Sequence, residues 1–168
     1  AAVATLACTP TTQVTVASPS QQTGIVVTGT GSVAVKPDIA LLNIGVEVTD
    51  TSVAAARAAA ADVATRLQDA LKQNGVDDKD IRTQYLNISP QYAIPPDRGG
   101  GTPTISGYIV SNQLQVTVRN LDQTSDVLDA AVAAGGDAVR VNGISFTVDQ
   151  PDQYMAQARE DAVKNARE

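Results

Sequence analysis

The sequence predicts an α+β fold with helices packed on one face of a mostly antiparallel sheet, in the order β-β-α-β-β-α-β-α. Three observations predict it. Aliphatic residues alternate at period two in several short stretches. Between them lie segments whose apolar residues recur in steps of three and four. Aromatic bulk is scarce, with one Phe, no Trp and 3% aromatics in 168 residues. A core must therefore be built from Val, Ile, Leu and Ala, which suits a thin two-layer domain.

The elements follow in order. From 25 to 35, Val27, Gly29, Gly31, Val33 and Val35 share one face, with Thr28, Thr30, Ser32 and Ala34 on the other. Lys36-Pro37-Asp38 interrupts, because Pro37 lacks an N–H and biases Lys36 toward extended geometry. From 39 to 49, Leu42, Ile44, Val46 and Val48 alternate with Leu41, Asn43, Gly45 and Glu47, so the two runs are expected to form a hairpin. Gly29-Thr30-Gly31-Ser32-Val33-Ala34 also fits G-x-G-x-x-A, with Asp50 about 20 residues on. A dinucleotide site needs a helix directly after the glycines. Here the alternation continues to Val35 and Pro37 follows, so the glycines read as room for a close neighbour, either the alanine-rich helix or another subunit.

Residues 52–73 form the clearest helix, with Ala56, Ala60, Val63, Leu67, Ala70 and Leu71 on one stripe. Asp50, Thr51 or Ser52 can cap its start, and Asn74-Gly75 stops it. Asp77, Asp78 and Asp80 lack the register and distal Glu of a calcium loop and read as a solvated loop. A strand over 81–92, a Pro- and Gly-rich tip over 93–104 and a strand resuming at Tyr108 make a second hairpin, with Leu114, Val116 and Val118 inward. Asp122 is expected to cap a helix over 123–134 that buries Val127, Leu128, Ala131 and Val132. In the strand over 139–148 the apolar parity changes from odd (Val139, Val141) to even (Ile144, Phe146), which predicts a β-bulge at Asn142-Gly143. Pro151-Asp152 opens a last helix with Met155, Ala158, Ala162 and Ala166 on one side. No stop signal closes it, so it is expected to run past Glu168 in a chain that is cut short.

Three segments are expected. Residues 1–8, ending in "AAVATLAC", read as a leader remnant with Cys8 as a lipid-attachment residue, and residues 9–23 as a flexible polar linker. The domain occupies 24–168. The net charge of −6 with scattered Lys and Arg excludes a nucleic-acid groove. There is no His and one Cys, which removes Ser-His and Cys-His pairs and argues against a zinc site. No cofactor, metal or catalytic residue is therefore assigned.

Several stretches together resemble one family: "VTGTGSVAVKPDIALLNIGVEV", the alanine-rich helix closed by "NGV", "DIRTQYLNISPQY", "GYIVSNQLQVTVRNLDQTSDVLDAAVAAGGD" and "VNGISFTVDQPDQYMAQAREDAVKNARE". In order and spacing they are similar to the SIMPL domain family of YggE-like bacterial envelope proteins, over about 24–168. The resemblance implies an α+β domain, a periplasmic or envelope location, ring-like or channel-like homo-oligomers and a role in oxidative or envelope stress. It carries no catalytic residues.

The leading expectation is thus a non-enzymatic, envelope-associated oligomerising or binding module. It would self-associate through the 93–104 loop and nearby strand edges, and it would be membrane-anchored through Cys8. Tyr85, Tyr92, Tyr108 and Arg98 are the candidate interface residues. The alternatives are a small-molecule or peptide carrier, and an enzyme of unknown reaction in which Glu47, the one acid inside an alternating strand, is the carboxylate to nominate.

Overall fold

The computed structural model describes residues 26–93 and 102–167. Four antiparallel strands form one sheet in the order β2-β3-β1-β4: β1 Ile39–Asp50, β2 Ile81–Ala93, β3 Thr104–Val118 and β4 Val139–Thr147. Helices α1 (Val53–Gln73) and α2 (Thr124–Gly135) pack together over one face. Helix α3 (Met155–Asn165) follows a 3₁₀ turn at Pro151–Tyr154. The α+β class expected from the sequence holds, with seven strands and α-helices among the described residues where eight are expected.

The core is the even face of β1 and β3 against the small face of α1. Ala40, Leu42, Ile44 and Val46 stand opposite Val118, Val116, Leu114 and Asn112, and all but Asn112 are buried. Ala56, Ala60, Val63, Ala64, Leu67 and Leu71 of α1 close over them. The alanines let the helix backbone lie near the sheet. Ser52 caps α1 as expected, its Oγ accepting from the Ala55 N–H at 3.2 Å, and Gly75 (φ 85°) takes the left-handed stop. The bulge is also where the alternation placed it. Asn43 faces Gly143 and Ile44 faces Val141, leaving Asn142 unpaired, and Gly143 adopts φ 147°.

The expected first strand is not formed. β1 is a central strand whose two edges are taken by β3 and β4, so no edge is left for a hairpin with 25–35. Residues 26–38 run without strand structure, and part of this stretch lies along α3. The Ser32 N–H donates to Asp161 Oδ2 (3.0 Å), and Asn165 Nδ2 donates to the Thr30 carbonyl (2.8 Å). A Cβ on Gly29 would lie 2.1 Å from the Ala162 carbonyl oxygen, and one on Gly31 would lie 1.9 Å from that of Ala158. The glycines do admit a close neighbour, but it is α3, not the alanine-rich helix. No helix follows them, so the dinucleotide geometry is absent from this stretch.

Two smaller expectations are corrected. A 3₁₀ turn at Leu121–Gln123 precedes α2, with Asn120 accepting from the Asp122 N–H, so Asp122 caps nothing. Val132 is exposed because the stripe facing α1 and the sheet runs through Val127 and Ala131. On α3, Met155 is exposed, and Ala158, Ala162 and Ala166 are half-buried near the Gly29–Gly31 stretch.

Arg119 ties the ends of the sheet together. It donates through Nε and Nη2 to Asp80 and through Nη1 to Asp149, each at 2.8 Å, and the Asp149 N–H donates to Asp38. The Asp80 side chain is only 7% exposed. Hydrogen bonds from Arg119 hold its carboxyl below the usual range against the opposing effect of burial. A depressed carboxyl pKa stabilises the fold above the unfolded value of about 3.9, and that stability is lost as pH falls through the folded value. Urea midpoints of the wild type should therefore drop as pH falls below about 4. Asp80→Asn should be less stable at pH 7 and lose part of that acid dependence. Parallel pH profiles for the two proteins would refute the assignment.

Candidate functional site

The face of the sheet turned away from α1 and α2 carries the odd residues of β1 and β3. Residues directly opposite across antiparallel strands share a face. Gly45 stands opposite Gln113 on one side and Arg140 on the other, Glu47 stands opposite Ser111, and Tyr85 stands opposite Gln113. These side chains, with Asn142 from the bulge, surround a cavity of about 160 Å³.

Gly45 is the floor of this cavity. A Cβ there would lie 2.8 Å from both the Asn112 carbonyl and Gln113 Oε1, so the Gln113 amide occupies space that any other residue at 45 would fill. Gln113 Oε1 accepts from Asn142 Nδ2 at 2.7 Å. Gln113 Nε2 is buried and has no hydrogen-bond partner among the described residues. Glu47 meets Arg140 Nε at 3.4 Å and accepts from the Ser111 hydroxyl at 3.4 Å. Arg140 Nη1 donates to the carbonyls of Asp137 (2.8 Å) and Val139 (3.0 Å), which holds the guanidinium against the start of β4. Charge is thus balanced within the site, and the donors and acceptors that remain are largely neutral.

The sequence-derived candidates are divided by this geometry. Glu47 and Tyr85 come together at the cavity. Tyr108 lies opposite Asp50 and Pro90 on the other face, and Tyr92, two residues beyond Pro90, shares that side. The three tyrosines therefore do not form one cluster, although Tyr85 and Tyr92 are both exposed on the β2–β3 hairpin. Arg98 and Cys8 lie outside the described residues. Ser111, Gln113 and Arg140 carry no signal of their own in the sequence, and Asn142 is marked there only as part of the bulge. The signals that could have found them were Gly45 inside a strand and the predicted bulge beside it. Among the described residues, no three His, Cys, Asp or Glu side chains are grouped to hold a metal ion, and no helix is long and apolar enough to cross a membrane.

Comparison with known proteins gives a consistent result. The SIMPL family pattern, described as "Protein of unknown function (DUF541)", matches residues 25–168. The chain is 37% identical over 152 residues to the 26 kDa periplasmic immunogenic protein of Brucella melitensis, covering 88% of this chain and 58% of that protein. It is 36% identical over 142 residues to the uncharacterized protein YggE of Escherichia coli K12, covering 84% of this chain and 55% of that one. The chain thus spans somewhat more than half the length of these curated relatives. Among solved structures, an amidase of the hydantoinase/carbamoylase family from Burkholderia phymatum is similar over 80% of this chain and 35% of its own, at 17% identity and a TM-score of 0.36. Matched along its folded length by the family pattern and by relatives above 30% identity, the chain belongs to the SIMPL family.

Proposed function

We propose that this chain is the self-assembling part of a non-enzymatic periplasmic envelope protein. The observation that carries the reading is the pair of open sheet edges. Among the described residues the strand order leaves β2 and β4 unpaired on their outer sides, and both bear exposed apolar residues: Tyr85, Leu86, Ile88 and Tyr92 on β2, and Val141, Ile144 and Phe146 on β4. Exposed edges of this kind template pairing with another chain. Two unlike edges on one molecule make a head-to-tail contact, which closes into a ring where the rotation permits. The name of the Brucella relative supports a periplasmic site of action. A lipid on Cys8 would hold the assembly at a membrane, and a part in oxidative or envelope stress fits the same reading. The lack of His and of any recognised nucleophile pair favours binding over catalysis.

Sedimentation velocity at micromolar concentration tests the assembly. A species several times the 17.3 kDa chain is expected, and Phe146→Asp should shift it toward monomer. A wild-type chain that remains strictly monomeric would refute the reading.

A further inference from the structure

We infer that the open face of the sheet holds a binding site for a neutral saccharide bearing hydroxyl and acetamido groups, centred on the Gln113 amide above Gly45. The site lies on the open face of the sheet and does not rest on self-assembly, although Tyr85 belongs both to it and to the β2 edge.

Four features select this ligand class. Gln113 is 8% exposed, and its Nε2 is a buried donor with no acceptor. Such a donor is costly to leave unmet, and a ligand carbonyl would satisfy it. Among the described residues two other buried side-chain atoms lack partners, Asn112 Oδ1 and Thr124 Oγ1, but neither residue lines this cavity. Second, the Glu47–Arg140 pair cancels its own charge, and Arg140 is already held by two backbone carbonyls. A charged ligand would have to break that pairing, whereas a neutral one would not. Third, the contacts of Glu47 with Arg140 and Ser111 are both long, at 3.4 Å. Hydroxyl groups, which donate and accept at once, can bond the open lone pairs of Glu47 beside these contacts without displacing Arg140. Fourth, Tyr85 is 54% exposed at the cavity, presenting an amphipathic ring to whatever enters. A pyranose has an apolar C–H face to lay against a ring and hydroxyls at its rim.

The volume agrees with this class. At about 30 Å³ per liquid water, the 160 Å³ cavity corresponds to roughly five waters, so it seats an acetamido group with one edge of a sugar ring while the rest of the ring lies over the exposed Tyr85. Few convergent polar groups beside an aromatic surface are the usual means of orienting a small ligand.

The test is a ¹H–¹⁵N titration of the labelled chain with N-acetylglucosamine, run on the wild type and on Phe146→Asp. The Gln113 side-chain amide and the backbone amides of Glu47 and Ser111 should shift along one saturable curve in both proteins. In the Phe146→Asp background, where association is removed, Tyr85→Ala, an exposed substitution, should weaken binding roughly 3–10-fold with the thermal midpoint unchanged. Gln113→Ala should abolish the response. No shift at these residues, an undiminished response in Tyr85→Ala, or an equal response to glycine or acetate would overturn the inference. Because Phe146→Asp is titrated too, a failure of the assembly reading leaves this result interpretable.

Discussion

Gly31→Ala is expected to release α3 while leaving the sheet folded. Gly31 does not have positive φ, so alanine can adopt its backbone conformation. The obstacle is space, since a Cβ would lie 1.9 Å from the Ala158 carbonyl oxygen and 2.5 Å from the Ala162 nitrogen. Both atoms are helix backbone and cannot rotate aside, so the segment and the helix must separate. Separation breaks the Ser32–Asp161 and Asn165–Thr30 hydrogen bonds. At about 1 kcal/mol each, the local stability lost is roughly 2 kcal/mol, or about 30-fold in protection. An 11-residue helix is marginal on its own, so α3 should then fray throughout. Hydrogen exchange would show it as a fall in protection confined to Met155–Asn165, with β1 and β3 unchanged. Undisturbed α3 amides would show that the segment and helix are not packed as described. A global loss of protection would show that α3 is part of the central core.

Where the sequence was read correctly, a local rule and the tertiary structure pointed the same way. Helix α1 was legible because its stripe, its cap at Ser52 and its stop at Gly75 agree. The bulge at Asn142-Gly143 was legible because a change of parity leaves a one-residue slip as the economical solution. The segment from 25 to 35 misled because alternation reports extended backbone and says nothing of what lies beside it. Valines and threonines at period two fit a strand equally with a segment laid on a helix. Only the strand order, in which β1 already has two neighbours, decides between them. The open-face site was half legible. Glu47 and Tyr85 stand out in the sequence, the one as an acid inside an alternating strand and the other as a candidate interface tyrosine. Ser111, Gln113 and Arg140 are ordinary strand residues whose importance depends on register across three strands, which the sequence does not encode locally. Gln113 is the clearest case. Its amide is a site feature only because Gly45 leaves room for it.

The sharpest contrast in stability should be between Leu67→Ala and Phe146→Ala. Leu67 is fully buried in the seam between α1 and the sheet. Its neighbours on the same helix stripe are Val63, Ala64 and Leu71, and neither alanine nor the short, stiff valine has the reach to refill a void. The cavity should persist, placing the cost at about 3–5 kcal/mol, in the upper part of the range for buried Leu→Ala. A domain of this size has about 5–15 kcal/mol in all, so the variant should be near its unfolding threshold at 37 °C. Phe→Ala ordinarily costs a similar amount in a core. Here the single Phe of the chain is 58% exposed on the edge strand β4, so truncation should change the stability of the monomer by no more than about 0.5 kcal/mol. Its effect should appear instead in the dependence of stability on protein concentration. A fold stabilised by association unfolds at a midpoint that rises with concentration. The wild type should show that rise, and Phe146→Ala should reduce or remove it. Urea unfolding across a concentration series separates the two roles. If Phe146→Ala instead lowers the midpoint equally at every concentration, the residue belongs to the monomer's own core and the β4 edge is not an assembly surface. If Leu67→Ala costs less than about 1 kcal/mol, the alanine seam repacks more freely than its small side chains allow.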